Sequence, residues 1–179
     1  KTTVRVGLVQ WQMRPYKTLD DVFEQVEFFV DAVSDYKSDF VLFPEYFNAP
    51  LMAKFNHLGE AQSIRGLAQY TEEIRERFVN LAISYNINII TGSMPLLKED
   101  GALYNVGYLI RRDGSYEMYE KVHVTPDEQK SWGLSGGKMV KTFDTDCARI
   151  GVLICYDVEF PELSRIMADQ GMQILFVPF

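Results

Sequence analysis

The chain has 179 residues, of which 47% are hydrophobic, and a formal net charge of −7. This length is enough for one domain with a sizeable core, and the acidic charge argues against a nucleic-acid surface, which needs clustered basic residues. No apolar run approaches the roughly 20 residues of a membrane span, no secretion signal is visible, and two cysteines cannot form a disulfide framework. We therefore expect a cytoplasmic protein with no nucleic-acid or membrane partner.

Strand and helix patterns alternate through the first half of the chain. Thr18 or Asp20 is the expected cap of the first helix, whose Val22, Val26, Phe29 and Val33 share one face. In chain order, the predicted elements are a strand at 3–10, a helix at 20–36, a strand at 39–45, a helix at 71–85 and a strand at 87–94.

The second half begins with a predicted hairpin at 103–122, whose turn lies at 112–115. Residues 123–138 are rich in turn formers and predict irregular structure. A strand at 149–155, a helix at 161–170 and a strand at 172–178 follow. This alternation is typical of an α/β fold. Because the sequence stops on an apolar strand, we expect residues 1–179 to be the N-terminal portion of one domain that continues beyond 179.

Three reactive side chains stand at the ends of predicted strands, namely Glu45, Lys121 and Cys155. In α/β sheets, ligands bind outside the carboxyl ends of the strands. A thiol there can attack an acyl carbon, a carboxylate can carry its proton, and an ammonium can stabilise the developing charge. Each residue also has a structural interpretation: a buried small hydrophobe for Cys155, a strand terminator for Glu45 and a solvated amine for Lys121.

Four motifs surround these residues in order: "GLVQWQ", "LFPEYF", "YEKVHVTPDEQ" and "GVLICYDVEFPELSR". Together they closely resemble the carbon–nitrogen hydrolase family, also called the nitrilase superfamily. The resemblance implies a four-layer αββα sandwich and a catalytic triad that falls on Glu45, Lys121 and Cys155. Many members use a second glutamate after the lysine, and Glu128 is the nearest match.

The activity that the resemblance implies is hydrolysis of carbon–nitrogen bonds other than peptide bonds, through a thioester on the cysteine. Amide or N-carbamoyl substrates come before nitriles, and the partner is thus a small molecule of this kind. Two alternatives stay open: an acyltransferase that passes the same thioester to an amine, and a catalytically silent binding domain, against which the intact triad argues. Members form homodimers or larger assemblies, and some are fused to another domain.

The residues next to Cys155 have predicted roles as well. We expect the Tyr156 backbone N–H and Lys121 to form the oxyanion hole, and Asp157 to brace the turn. Glu159 stands where many relatives carry an arginine that can meet a substrate carboxylate, and it would instead favour a cationic or neutral substrate. Its alternatives are a solvent-facing position or a helix cap near Pro161.

The remaining candidates carry weaker signals. Tyr46, directly after Glu45, and Trp132, in the loop after Lys121, are candidate substrate-binding residues, although a packed loop explains residues 46–55 equally well. The "WGLSGGK" segment lacks the phosphate-loop spacing, and its glycine pair predicts a tight turn. The histidines and cysteines show no metal spacing, so we expect no metal and no cofactor, and Cys147 is interpreted as an ordinary buried cysteine.

Overall fold

The computed structural model describes residues 2–179, in which two β-sheets are flanked by α-helices. The strands are β1 Val6–Leu8, β2 Phe40–Leu42, β3 Asn88–Ile90, β4 Met94–Leu97, β5 Leu103–Ile110, β6 Tyr116–Glu120, β7 Leu134–Ser135, β8 Thr142–Asp144, β9 Arg149–Val152 and β10 Ile174–Phe176. The helices are α1 Leu19–Asp35, α2 Glu60–Ala68, α3 Thr71–Ser84, α4 Pro126–Trp132 and α5 Pro161–Asp169, with 3₁₀ helices at Ala49–Phe55 and Cys155–Glu159.

The larger sheet has the strand order β1-β2-β3-β5-β4, and β6 and β7 also pair with β5. Strands β1, β2 and β3 are parallel, β5 runs antiparallel to β3, and β6 runs antiparallel to β5. Two reversals give β6 the direction of β2. Glu45 and Lys121, which follow these two strands, therefore emerge at the same edge of the sheet.

The smaller sheet has the order β10-β9-β8, with β9 and β10 parallel and β8 antiparallel to β9. It packs face to face on the larger sheet through a shared apolar core. The Phe40 and Phe176 rings, one from each sheet, have their centroids 5.2 Å apart in this core. Burial of such side chains contributes about 1.5–3 kcal/mol each. The core defines the interface between the sheets.

Helices cover the two outer faces. Val26 of α1 and Phe78 of α3 belong to the core on the outer face of the larger sheet, and Leu163 and Met167 of α5 pack with Leu153 beside the smaller sheet. The layers therefore run helix, sheet, sheet, helix. The predicted four-layer αββα sandwich is confirmed.

Helix α1 begins where the sequence indicates. Thr18 is its cap: the Thr18 hydroxyl accepts the Asp21 N–H over 3.1 Å, and the Asp21 carboxylate accepts the Thr18 N–H over 2.9 Å. Of the predicted apolar face, Val22 and Val26 are fully buried. The hairpin of β5 and β6 and the helices predicted at 71–85 and 161–170 are also present, within a residue or two at their ends.

The prediction of irregular structure throughout 123–138 was wrong, because α4 lies within this segment. Thr125 caps the helix and forms a capping box with Glu128, Pro126 occupies the first helical turn, and Gly133 ends the helix with a φ of 68°. These are favourable start and stop residues, and they outweigh the general turn-forming composition.

The segment after Glu45 is packed structure. The 3₁₀ helix Ala49–Phe55 buries Leu51 completely, and α2 lies against it. Gly66 of α2 faces the Phe55 ring so closely that an added Cβ would stand 2.8 Å from ring carbons. Residues 46–55 were interpreted either as part of a substrate site or as a packed loop. Residues 49–55 are packed, as a 3₁₀ helix.

Within residues 2–179, no helix is both long enough and apolar enough to span a membrane. No group of three or more His, Cys, Asp or Glu side chains there is arranged to hold a metal ion.

Candidate active site

Glu45 stands just beyond β2, where a sharp turn ends the strand. Its backbone bridges to Ser93, and the next N–H, that of Tyr46, donates to the Ser93 carbonyl over 2.8 Å. Tyr46 has a φ of 51°, in the left-handed region that residues with a Cβ rarely adopt. The turn fixes the Glu45 backbone against the β3–β4 connection and leaves its side chain 12% exposed.

Lys121 follows β6, and only 1% of its side chain is exposed. Its ammonium Nζ lies 2.9 Å from Glu45 Oε1, 2.9 Å from Glu128 Oε2 and 3.0 Å from Glu128 Oε1. Burial lowers the pKa of Lys121, but the charges of both carboxylates and their hydrogen bonds outweigh burial and raise the pKa above its ordinary value. Lys121 is therefore a permanent cation held between two carboxylates.

Glu128 reaches Lys121 from α4. Its Oε2 also accepts the Thr125 N–H over 2.7 Å, which completes the capping box of the helix, and its Oε1 accepts the Tyr46 hydroxyl over 3.1 Å. The same carboxylate thus caps the start of α4 and neutralises Lys121. The resemblance implied Glu128 as the second glutamate after the lysine, and the structure brings it into direct contact with Lys121.

Cys155 lies at the first position of the second 3₁₀ helix, three residues beyond β9. Its φ is 47°, and its N–H donates to the Pro178 carbonyl over 2.8 Å, which ties it to the end of β10. The residue packs against the core between the sheets yet remains partly exposed. A strained turn between a strand and a helix is a geometry that presents a nucleophile.

The thiol of Cys155 carries its proton at rest. Burial and the Glu45 carboxylate raise the pKa of Cys155, and the opposing effects of Lys121 and the Tyr156 N–H are smaller. A carboxylate beside a protonated thiol is arranged to take its proton.

Both groups predicted for the oxyanion hole act on the Cys155 sulfur. The positive charge of Lys121 and the Tyr156 N–H each lower the pKa of Cys155. Lys121 also contacts Glu45, the base candidate.

Asp157 is a brace, as predicted, but its partners lie outside its own turn. Its fully buried carboxylate accepts the Val122 N–H over 2.9 Å and the His123 N–H over 2.7 Å, and it lies 2.9 Å from His123 Nδ1. The His123 ring also stacks on Phe160, with centroids 3.6 Å apart. Asp157 therefore ties the chain around the cysteine to the chain that follows the lysine.

The predicted substrate-binding residues occupy different surroundings. Tyr46 is committed to Glu128 through its hydroxyl, and its ring meets the Trp132 ring edge-on at 5.4 Å. Glu159 is exposed. Helix α5 begins after Phe160 with no side-chain cap, so Glu159 does not cap it.

Two segments that were set aside have structural roles. Cys147 is buried in the core between the sheets, and its thiol contacts Thr145 and Asn88. Gly136 allows close approach: an added Cβ would stand 2.3 Å from the Val122 carbonyl oxygen. Gly136 does not have a positive φ, so a tight turn of that kind does not account for it. Close packing beside the Lys121 segment does.

Asn105 was missed by sequence reasoning. It lies in β5, is fully buried, and its amide Nδ2 donates to Glu45 Oε1 over 2.8 Å. A signal was available, since asparagine is disfavoured in the interior of a buried apolar strand and needs a polar partner there.

A cavity of about 640 Å³ opens beside Glu45. Its walls are mainly apolar and include Trp11, Phe43, Pro44 and Pro178. Glu45 thus borders a space with room for a small molecule.

Residues 5–178 match the family described as Carbon-nitrogen hydrolase. The chain belongs to the carbon–nitrogen hydrolase family. The resemblance inferred from the sequence motifs is therefore confirmed.

Curated relatives resemble the chain along its length. It is 45% identical over 176 residues to the probable hydrolase YhcX of Bacillus subtilis, covering 98% of this chain and 34% of that protein. It is 33% identical over 190 residues to the omega-amidase NIT2 of Homo sapiens, covering 99% of this chain and 63% of that protein. The chain thus spans about a third of the first relative and less than two thirds of the second.

Solved structures share the fold. A carbon–nitrogen hydrolase from Helicobacter pylori superposes with a TM-score of 0.83 at 22% identity, over 98% of this chain and 59% of that one. An amidase from Nesterenkonia, solved in complex with acrylamide, superposes with a TM-score of 0.80 at 22% identity, over 99% and 65%. The αββα sandwich is thus the arrangement found in these hydrolases.

Proposed function

We propose that this domain hydrolyses carbon–nitrogen bonds of small amides or N-carbamoyl compounds through a thioester on Cys155. The observation that carries the proposal is the contact of one buried lysine with two carboxylates, one of which, Glu45, acts on the Cys155 thiol and raises its pKa. Membership of the carbon–nitrogen hydrolase family supports it, as does similarity to proteins named as amidases.

In the first half-reaction, Glu45 takes the thiol proton and the sulfur attacks the carbonyl carbon. The resulting oxyanion accepts hydrogen bonds from the Tyr156 N–H and Lys121. As the carbonyl re-forms, the carbon–nitrogen bond breaks, and protonated Glu45 gives its proton to the departing ammonia or amine. The acyl group is left on the Cys155 sulfur, and Glu45 is again a carboxylate.

The second half-reaction returns the enzyme to its starting state. Glu45 takes a proton from water, and the hydroxide adds to the thioester carbon. The carbon–sulfur bond then breaks, the acid leaves, and Glu45 returns its proton to the Cys155 sulfur. Glu128 acts on neither bond in this scheme; it holds Lys121 in place and balances its charge.

Mass spectrometry of the intact protein tests this scheme. We expect short primary amides or N-carbamoyl amines to give an acyl-sized mass increase on Cys155 and release of the acid. Cys155→Ala should show neither, with its fold intact because loss of one thiol leaves only a small cavity. Cys147→Ala is the matched control and should behave like the native protein. Turnover by Cys155→Ala at the native rate would refute the covalent mechanism.

The same measurement separates the two competing functions. An acyltransferase would also form the adduct, but adding an amine would divert the acyl group from the acid to a new amide. A silent binding domain would form no adduct with any of the amides or N-carbamoyl amines tested. Acid as the main product in the presence of the amine supports the hydrolase.

A further inference from the structure

We propose that Asn105 is a positioning residue that selects which oxygen of Glu45 receives the Cys155 proton. This inference rests on the proposed function, in which Glu45 is the base. Asn105 lies in β5, contacts the carboxylates from within the sheet, and is fully buried.

The hydrogen bonds of Glu45 are distributed unevenly between its two oxygens. Asn105 Nδ2 lies 2.8 Å from Oε1, and Lys121 Nζ lies 2.9 Å from the same atom. Two donors on one oxygen fix the rotation of the carboxylate and engage the lone pairs of Oε1. Oε2 is left as the oxygen with free acceptor capacity, and it is the one that takes the proton.

Asn105 reaches the second carboxylate as well. Its Nδ2 is 3.5 Å from Glu128 Oε1, at the limit of a hydrogen bond. Its backbone carbonyl accepts the Lys121 N–H over 2.9 Å. One residue therefore sets the position of the lysine through its backbone and that of the base through its side chain.

The oxygen of the Asn105 amide, Oδ1, is in an unfavourable position in this arrangement. Within residues 2–179, the buried Oδ1 has no hydrogen-bond partner. A buried amide oxygen without a partner is unfavourable, and rotating the amide would place that oxygen against two carboxylates. The amide is oriented so that its Nδ2 meets Glu45 while its own oxygen is left without a partner. This distinguishes Asn105 from an asparagine whose hydrogen bonds only stabilise the fold.

Asn88 of β3 is such a structural asparagine and supplies the matched control. It is also buried in the larger sheet, and its Nδ2 donates to the Asp39 carbonyl and to Asp146 Oδ1. It makes no hydrogen bond to Glu45, Lys121 or Glu128. Asn105→Leu and Asn88→Leu remove comparable buried amides, but only the first removes a donor to the base.

Two rates measured on the purified protein test the proposal. We expect Asn105→Leu to slow formation of the Cys155 thioester on the order of 100-fold, as misplacement of a catalytic group does, whereas Asn88→Leu keeps it within a few-fold of the native rate. Alkylation of Cys155 by iodoacetamide, followed against pH, needs no substrate. Its half-point should move to lower pH in Asn105→Leu, as in Glu45→Gln, because the Glu45 charge is no longer held beside the sulfur.

Native-like acylation in Asn105→Leu, or equal losses in both leucine variants, overturns the proposal. If Asn105→Leu does not fold, the smaller Asn105→Ser replaces it, with the same expected effects. Absence of any thioester in the native protein would refute the proposed function alone, since the alkylation profile still reports whether Asn105 holds Glu45 at the thiol.

Discussion

Lys121 is shared unequally by its two carboxylates, and this asymmetry bears on which of them reacts. Glu128 meets the ammonium with both oxygens, whereas Glu45 meets it with one. A buried cation is tolerated when it is paired in this way. With two carboxylates and one ammonium, the cluster keeps one excess negative charge, and Glu45 has the oxygen with which to take up a proton.

Glu159 provides a test of substrate charge at the scale of a single residue. It is exposed and does not cap α5, and it lies in the same 3₁₀ helix as Cys155. We expect cationic or neutral amides to be preferred over amides that carry a carboxylate, because like charges repel. Glu159→Arg should narrow or invert this preference.

The measurement is the ratio of kcat/KM for a matched cationic and anionic amide, in the native protein and in Glu159→Arg. Glu162→Arg, a nearby charge reversal in the first turn of α5, is the control. A ratio that is the same in all three proteins would remove Glu159 from substrate recognition.

At the scale of elements, the short helix α4 links local stability to the site. In its capping box, the Thr125 hydroxyl accepts the Glu128 N–H over 3.3 Å, and the Glu128 carboxylate accepts the Thr125 N–H over 2.7 Å. Because the capping carboxylate also holds Lys121, loss of the cap loosens a group of the site.

Thr125→Ala should therefore cost about 1 kcal/mol of unfolding free energy and also reduce turnover. Thr18→Ala removes the equivalent cap of α1, a helix that holds none of the candidate catalytic residues. We expect Thr18→Ala to lose a similar amount of stability but to keep the native turnover. Urea unfolding and kcat/KM of both variants check this; equal turnover in the two would mean that the α4 cap does not act on Glu128.

The sequence predicts α1 because its apolar residues recur at helical spacing, and the strands because their apolar runs are short and bounded. Helix α4 was missed although Thr125, Pro126 and Glu128 form a recognisable start signal; turn-forming residues around them obscured it. Helix α2 was missed because it is short, has a glycine inside it and has no side-chain cap at its start.

For the site, motifs identified Glu45, Lys121, Cys155 and Glu128, and the structure brings them into one cluster. The role of Asn105 could not be predicted, since its contact with Glu45 depends on the pairing of β5 within the sheet. The partners of Asp157 were likewise set by how the two sheets meet. Contacts between distant segments are what local patterns cannot supply.

At the scale of the whole molecule, buried tyrosines contribute to the response of stability to alkaline pH. Burial raises the pKa of Tyr119 above its ordinary 10.0, and burial together with Glu128 and Glu45 raises that of Tyr46. Burial raises the pKa of Tyr108 to about 12. The folded protein keeps these protons while the unfolded chain releases them near pH 10, so the stability that they contribute is complete below pH 10 and falls as the pH rises above 10, for Tyr108 until about 12.

Urea unfolding between pH 8 and pH 12 measures this loss. Tyr119 donates its hydroxyl to the Gly92 carbonyl over 2.6 Å, so Tyr119→Phe should be less stable at pH 8 by about 1 kcal/mol. Its stability should then fall less steeply above pH 10, because one titrating group is gone. An unchanged slope would show that Tyr119 ionises alike in the folded and unfolded states.

The division of the site between the two sheets has a consequence for how the rate can be adjusted. Cys155 follows a strand of the smaller sheet, whereas Glu45 and Lys121 follow strands of the larger one. Asp157 connects the two segments by hydrogen bonds. Sliding one sheet over the other by a fraction of an ångström changes the gap between sulfur and carboxylate. We therefore expect a change of side-chain volume at the contact of Phe40 with Phe176 to alter turnover with every reactive group left in place.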